Sequence, residues 1–475
     1  MAEARTLDPS LLREYDVRGI VGETLFADDA YALGRAFARV VADRGGSRIA
    51  VGYDGRISSP ELADAFASAL VDSGMTVLEV GLGPTPLLYY ATKVRGADAG
   101  VQITGSHNPP EYNGLKFMLN GEPFFGKDIA ELGEIAGRGD FVDGTGAREW
   151  IAVMPEYVEA LARELDLASN IRVAWDPGNG AAGAATQMLK KIAPGQHTLI
   201  NAEVDGRFPN HHPDPSKVEN LEQLQQAVRQ GQCDLGVAFD GDGDRIGVVD
   251  EEGEVLWPDE LMILFARDMP GVGNKAPIVA DVKASKLLFD KIAETGGEPI
   301  MWKTGHSLIK AKMAETGAQL AGEMSGHVFI NDRWYGFDDA LYAACRLLRI
   351  VAARNISLAE FRRNLPEIFN TPEIRFECPP DRKFEVAGEI EQRLADDPDS
   401  EVITVDGVRV NTPQGWWLLR ASNTQDMLVA RCEAYDAEGL EQLKEQLADQ
   451  LALSNLKIPA EIEPAAQALT TSQGT

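Results

Sequence analysis

The stretch Thr104 to Lys116, "TGSHNPPEYNGLK", puts a hydroxyl, an imidazole and an ammonium among turn-forming residues. Pro109 disfavours helical conformation at Asn108, so the residues after the apolar run "AGVQI" are predicted to form a loop at a strand end. In α/β folds, ligands gather at such ends. Ser106 offers a nucleophile or a phosphoryl carrier. Lys116 offers a counter-charge for phosphate, and His107 an orienting or proton-donating ring. The plain alternative is a stiff connection without chemistry.

Further along, "FDGDGDRIGVVDEEG" alternates Asp240, Asp242 and Asp244 with glycine after the apolar run "DLGVAF". Three carboxylates on so short a loop repel one another unless they converge on a divalent cation. A helix-loop-helix Ca²⁺ site is disfavoured, because its sixth position requires Gly and Arg245 stands there. The flanks also read as strands. Mg²⁺ with Arg245 beside it suits a transferring phosphoryl group better, and an acidic hairpin is the chemically idle reading. In "GEMSGH", Glu323 and Ser325 flank a methionine between glycines, an acceptor and a hydroxyl placed to read vicinal sugar hydroxyls. In "RASNTQD", Arg420, Ser422, Asn423 and Thr424 supply the donors that hold a terminal phosphate without metal. Taken alone, each of these two loops reads first as a polar turn. Three of the six histidines, His107, His306 and His327, fall beside glycine-containing turns rather than in apolar runs. Arg18 is expected in a glycine-bounded turn within "EYDVRGIVG".

The elements that must position these loops alternate in type. "SRIAVGYDGR" reads as strand then turn, "SSPELADAFASALVDSG" as a helix opened by Ser-Pro and closed by Gly74, and "MTVLEVG" as the next strand. Strand, Asp and small residues leading into a helix recur at Asp54, Asp176 and Asp281, which suits three related α/β units. The expected fold is three mixed α/β domains and a smaller C-terminal α+β domain. The boundaries expected are 1–152 with the serine loop, 153–254 with the Asp loop, 255–367 with the Glu-Ser loop and 368–458 with the Arg-Ser-Asn-Thr loop. A disordered tail is expected at 459–475.

Bulk properties narrow the classes. The chain has 475 residues, 44% hydrophobic and 25% charged, as in ordinary globular proteins. Its formal charge of −29 repels phosphate backbones, which argues against a nucleic-acid partner. Cys233, Cys345, Cys378 and Cys432 stand at no metal or redox spacing. The N-terminus shows no signal-peptide pattern, and no run approaches the ~20 apolar residues of a membrane span. No membrane association and a cytoplasmic location are the expectation.

"TGSHNPPEYNGLK", "DGDGDR", "GEMSGH" and "RASNT", in this order, resemble the α-D-phosphohexomutase superfamily, most closely its bacterial phosphomannomutase/phosphoglucomutase branch. The likeness extends to "EYDVRG", "PTPLLYY", "EVDGRFPNHHPDP", "MWKTGHSLIKAKM" and "RWYGFDD". The resemblance implies four domains around a central cleft. It implies a phosphoserine at Ser106, and Mg²⁺ held by Asp240, Asp242, Asp244 and an oxygen of that phosphoserine. Catalytic parts would fall to Ser106, Lys116, Arg245, His327, Arg18 and His107. Substrate contacts would come from Tyr15, Lys283, His306, Glu323, Ser325, Arg420, Ser422, Asn423 and Thr424. It further implies mannose and glucose phosphates as substrates, a hexose 1,6-bisphosphate as intermediate and activator, and a monomer. One departure is Gln425-Asp426, where a small residue or proline is expected; Asp426 adds a negative charge next to the phosphate loop. A phosphoglucosamine mutase and a metal-dependent sugar phosphatase are the rival activities. A non-catalytic binding protein leaves Ser106 without a role.

Overall fold

The computed structural model describes residues 4–165, 170–379, 382–395, 397–422 and 427–463. Apolar runs become strands, and amphipathic segments become helices packed against them. The predicted helix spans Ser59–Asp72 with Pro60 in its first turn, and Gly74 beyond its end takes a positive φ of 83°.

The strands form four sheets. In the first, the order is Val17–Ile20, Tyr112–Leu119, Ala99–Ile103, Arg48–Tyr53, Thr76–Leu82 and Ala147–Trp150, with Glu122–Phe124 paired to Tyr112–Leu119. Arg48–Tyr53 runs parallel to both its neighbours, and Tyr112–Leu119 is antiparallel to Ala99–Ile103. The second sheet repeats the plan: Arg172–Asp176 lies parallel to Gln196–Leu199 and Leu235–Phe239, and Ile246–Asp250 is antiparallel to the last of these. The third does so again, with Pro277–Asp281 parallel to Glu298–Trp302 and Leu320–Gly322, then Val328–Ile330 antiparallel. The fourth sheet is antiparallel throughout and carries the helix Ala437–Leu453. The fold is thus three α/β units with mixed sheets and a C-terminal α+β unit.

Burial explains why the first three units act as one support. A single apolar cluster joins Leu88 and Tyr90 of the helix Thr85–Arg95, Tyr157 and Trp175 of the second unit, and Leu341 and Tyr342 of the third. Each fully buried Leu or Phe adds about 1.5–3 kcal/mol. Polar edges are satisfied across the units: the hydroxyl of Tyr157 donates to Asp339 at 2.9 Å. The fourth unit keeps its own core around Trp417 and Leu447. It grips the third through Arg409, whose guanidinium donates to the carbonyls of Val282 and Ala284 at 2.7 Å each.

Three placements differ from the sequence reading. Arg18 lies in the strand Val17–Ile20, not in a turn, because that strand pairs with Tyr112–Leu119 along the serine segment. Lys116 also lies in a strand, since the loop ends at Glu111 and an eight-residue strand follows. The start of the expected tail is packed: Ile462 is fully buried in the fourth core, while residues 464–475 lie outside the described residues.

Candidate active site

The shared topology decides where chemistry collects. In each of the first three units, one loop joins a parallel strand to its antiparallel partner. Those loops are the serine loop, the Asp loop and the Glu-Ser loop. The fourth loop joins Gly415–Ala421 to Met427–Ala434, antiparallel neighbours in the last sheet.

The serine loop is held from beneath. Ser106 is 2% exposed and adopts φ 49°, a left-handed conformation that costs energy for a residue with a Cβ. The buried guanidinium of Arg56 stabilises it. Its Nη2 donates to the carbonyls of Ser106 and Asn108 at 2.7 and 2.6 Å, and its Nη1 to those of Pro109 and Tyr112 at 2.6 and 2.9 Å. Its Nε donates to Asp54 at 3.2 Å. Asp54 also accepts from the Thr104 hydroxyl at 2.8 Å and the Gly105 amide at 3.1 Å. Arg18 adds bonds to the Gly105 carbonyl at 2.8 Å and the Asn108 side chain at 2.6 Å, and pairs with Asp16. Gly105 allows the close approach, because a Cβ there would lie 2.4 Å from the Arg56 guanidinium.

Above this frame, the Ser106 hydroxyl donates to Asp240 Oδ2 at 3.0 Å and lies 3.2 Å from His107 Nδ1. Burial, with Arg245 and Arg18 nearby, holds His107 well below the ordinary histidine value. Asp240, Asp242 and Asp244 are fully buried, and one carboxylate oxygen from each lies within 4.8 Å of the others. Burial and the two neighbouring carboxylates push Asp240 well above its ordinary value. Lys116 donates to Asp242 Oδ2 at 2.7 Å and to Asp244 Oδ2 at 2.5 Å. Burial works against its charge, but these carboxylates prevail and hold it well above the ordinary lysine value. Burial likewise opposes charge on Asp242, and Lys116 with the Thr85 hydroxyl, 2.5 Å away, outweighs it to lower that carboxyl.

The Oδ1 atoms of Asp242 and Asp244 are buried without a hydrogen-bond partner. Such orphaned oxygens are costly. Hard carboxylate donors clustered on one loop fit a divalent metal ion.

The remaining loops join this centre through a continuous chain of contacts. Arg245 Nε donates to His327 Nε2 at 3.1 Å, and the Ile246 amide to the Gly326 carbonyl at 3.0 Å. Glu323 accepts the Gly305 amide at 2.7 Å and the Ser325 hydroxyl at 3.0 Å. Tyr15 donates to the Thr304 carbonyl at 2.9 Å, which brings the first unit onto the third. Asp406 accepts the Thr304 amide and Arg420 Nε, each at 3.0 Å, which ties in the fourth. Lys283 contacts Glu373 at 3.1 Å and lies 3.9 Å from Asp281. Burial pushes Asp281 up to about 6 against the pull of Lys283. Ser422 closes its strand pair through its amide to the Met427 carbonyl, at 2.9 Å. Asn423 and Thr424, with Gln425 and Asp426, lie outside the described residues. His306 stacks on His327 with ring centroids 5.4 Å apart.

Sequence reasoning missed the residues that hold the site together: Asp54 and Arg56 under the serine loop, Thr85 on Asp242, Asp406 on Arg420, and Lys310 with Asp338 behind the histidines. Asp54 carried a signal as the first of the repeated strand-end aspartates. Asp338 stood in the quoted "RWYGFDD" but was not singled out.

Comparison with known proteins fits this geometry. Family models described as the alpha/beta/alpha domains I, II and III of phosphoglucomutase/phosphomannomutase match residues 9–143, 155–253 and 257–369, and the model of the C-terminal domain matches 373–450. A phosphomannomutase/phosphoglucomutase of Pseudomonas aeruginosa is 45% identical over 458 residues, covering 96% of this chain and 99% of that protein. A phosphoglucomutase of Neisseria gonorrhoeae is 45% identical over 437 residues, covering 91% and 95%. The crystal structure of a phosphoglucomutase/phosphomannomutase family protein from Burkholderia thailandensis superposes with a TM-score of 0.90 at 39% identity, covering 95% of this chain and 99% of that one.

Proposed function

Given that the chain belongs to the phosphoglucomutase/phosphomannomutase family, we infer that it is an isomerase moving a phosphoryl group between the 1- and 6-positions of mannose and glucose phosphates. The observation that carries this reading is the Ser106 hydroxyl on Asp240, at 3.0 Å, at the edge of a buried acidic cluster.

Ser106 would cycle as a phosphoserine. The free O6 hydroxyl of a hexose 1-phosphate attacks the phosphorus, the O6–P bond forms and the Oγ–P bond breaks. The hydroxyl proton leaves to a base, and Oγ takes a proton from an acid. The bound 1,6-bisphosphate turns by half a revolution, and Oγ takes the phosphoryl group from O1 by the reverse steps. Lys116, held protonated at rest by Asp242 and Asp244, would give Oγ its proton and recover it in the reverse step, with His327 as the base. Asp240, Asp242, Asp244 and a phosphoserine oxygen would hold Mg²⁺. When bound, Mg²⁺ supplies positive charge to the transferring phosphoryl oxygens. Arg245, Arg18 and His107 line the same centre.

Glu323 and Ser325 would read O3 and O4, which exchange places roughly when the sugar flips. Mannose and glucose differ only at C2, so both would be accepted. Arg420, Ser422, Asn423 and Thr424 would hold the phosphate that is not reacting, with Tyr15, Lys283 and His306 as further sugar-phosphate contacts. The reading includes a hexose 1,6-bisphosphate as activator, a monomer in the cytoplasm, and the division of the chain at 152, 254, 367 and 458. No helix among the described residues is long and apolar enough to cross a membrane.

The test is intact mass and peptide mapping of Ser106, then incubation with mannose 1-phosphate and Mg²⁺. One phosphoryl group on Ser106 and formation of the 6-phosphate without free phosphate support the reading. An unmodified Ser106 that stays unmodified after exposure to the 1,6-bisphosphate refutes it.

A further inference from the structure

A second buried group of potential metal ligands adjoins the acidic loop: Asp244, His327 and Asp338. His327 Nδ1 lies 3.2 Å from Asp338 Oδ2 and 3.6 Å from Asp244 Oδ1. All three atoms are buried, and none makes a well-angled hydrogen bond. Two explanations compete, a second metal ion or a proton on Nδ1.

The opposite edge of the ring decides between them. Arg245 Nε donates to His327 Nε2 at 3.1 Å, and a guanidinium nitrogen has only hydrogens to offer. Nε2 must therefore be the acceptor, and Nδ1 of the neutral ring carries the proton. A metal on Nδ1 would move that proton to Nε2 and set two N–H groups against each other. The local charge agrees. Lys310 donates to Asp338 Oδ1 at 2.9 Å, and Lys116 already occupies Asp244 Oδ2. A second cation would join a site that already holds lysine and arginine charges. Asp244 Oδ1 is moreover among the oxygens available to the acidic cluster, which leaves Asp338 as the partner of Nδ1.

We propose that Asp338 is the positioning residue of His327: its Oδ2 holds the proton on Nδ1 and so presents Nε2, unprotonated, to the reaction centre. This rests on the mutase reading. The logic is that of a carboxylate behind a catalytic imidazole, in which the carboxylate fixes tautomer and ring direction. Lys310 fixes Asp338 in turn, and His306 stacks on the outer ring face. Arg245 occupies Nε2 in this structure. When its guanidinium turns to the phosphoryl oxygens, Nε2 is free to take the sugar hydroxyl proton, and Asp338 stabilises the imidazolium until the proton returns to the leaving oxygen in the second half-reaction. The 3.2 Å contact is poorly angled here, as is common for catalytic hydrogen bonds before substrate binds.

The test uses the full-length enzyme. In Asp338→Asn, Lys310 keeps the amide oxygen, the amide N–H turns to His327, and the ring proton moves to Nε2. The expected loss is about 10²-fold or more in kcat with KM within about threefold, since Asp338 hydrogen-bonds none of the sugar and phosphate contacts, His306 Nδ1 lying 3.6 Å from its Oδ2. His327→Gln should cost about as much, and the double variant no more than His327→Gln alone. Nitrogen-15 spectra of histidine-labelled wild-type enzyme, with the His327 signals assigned by their absence in His327→Gln, should place the proton on Nδ1. That spectrum decides the matter even if Asp338→Asn does not fold. A wild-type proton on Nε2, an Asp338→Asn kcat within about threefold of wild type, or multiplicative losses in the double variant would each overturn the proposal. Failure of wild-type enzyme to take a phosphoryl group from the 1,6-bisphosphate onto Ser106 would instead sink the mutase reading.

Discussion

Arg56 offers the sharpest perturbation, because its guanidinium engages five acceptors: the carbonyls of Ser106, Asn108, Pro109 and Tyr112, and the carboxylate of Asp54. Five is the full donor count of an arginine side chain. Arg56→Lys keeps the charge facing Asp54 but has three donors at one point, so at least two of the five acceptors, the buried Ser106 carbonyl and the part-buried ones around it, lose this donor, though the Pro109 carbonyl keeps the Tyr112 amide. A buried acceptor left unpaired costs about 1–3 kcal/mol, so about 2–6 kcal/mol bounds the loss from above, and acceptors that reach water or keep another donor lower it. The loop can absorb part of this by relaxing from the positive φ at Ser106, which moves Oγ off Asp240. A displacement near 1 Å costs about 10²-fold in a positioned reaction. The assay has two arms: thermal unfolding with and without Mg²⁺, and the rate at which Ser106 is phosphorylated by glucose 1,6-bisphosphate. Arg56→Lys should lower the melting temperature and slow phosphorylation by about 10²-fold. A variant with wild-type melting and a phosphorylation rate within about threefold would show that the buried fork is not what holds Ser106.

Other outcomes follow from the same geometry. Asp242→Asn should lose about 10²-fold or more in kcat and need more Mg²⁺ for half-activation; full activity at wild-type Mg²⁺ would remove Asp242 from the metal site. Asp406→Ala should raise KM for both 1-phosphates by releasing Arg420 and the Thr304 amide together, whereas a change in kcat alone would place Asp406 elsewhere. Burial pushes Asp259 up to about 7, against the pull of Arg431. Its folded value stands above the unfolded one, so its contribution to stability is complete below about pH 4 and is lost as pH rises through 7. Asp259→Asn should therefore melt like wild type near pH 4 and higher at pH 8, the gap bounded by about 4 kcal/mol. Equal melting at both pH values would show that Asp259 stays ionised in the folded chain.

The sequence made the loops legible, and their supports largely illegible. Ser106, the three aspartates and the Glu-Ser pair stand in short polar breaks between apolar runs, and such breaks must lie at strand ends whatever the fold. Lys116 is different: "YNGLKFML" reads as a loop continuing into a strand, and the pairing with Val17–Ile20 starts that strand at Tyr112, while Lys116 itself pairs with Gln102. Arg56 follows "GYDG" and looks like an exposed turn arginine; it becomes buried only when a loop from about 50 residues away folds over it. Asp338 and Asp339 are adjacent and alike on paper. Asp339 caps the helix Ala340–Arg354 by accepting the Tyr342 amide, and its neighbour turns to His327. No local pattern separates them, because the difference is set by a helix start and a distant loop.

The threefold repeat explains how one scaffold holds loops of such different composition. Each of the first three units ends a parallel strand on or just before an aspartate, at Asp54, Asp176 and Asp281. In the first, that carboxylate takes the Thr104 hydroxyl and the Gly105 amide, the first residues of the serine loop. In the third, it takes the Met324 amide of the Glu-Ser loop at 3.3 Å and the Thr304 hydroxyl at 3.1 Å. In the second, Asp176 turns to its own loop, binding the Gly178 amide at 2.9 Å and His211 at 3.0 Å, and the segment it shapes reaches the Asp loop through the Ala181 amide on the Gly241 carbonyl at 2.8 Å. A buried carboxylate that accepts backbone amides fixes a loop without specifying its side chains. The scaffold therefore constrains where each loop stands and leaves the residues at its tip free to differ; under the proposed function they would carry a nucleophile in one unit, metal ligands in the next and a sugar reader in the third.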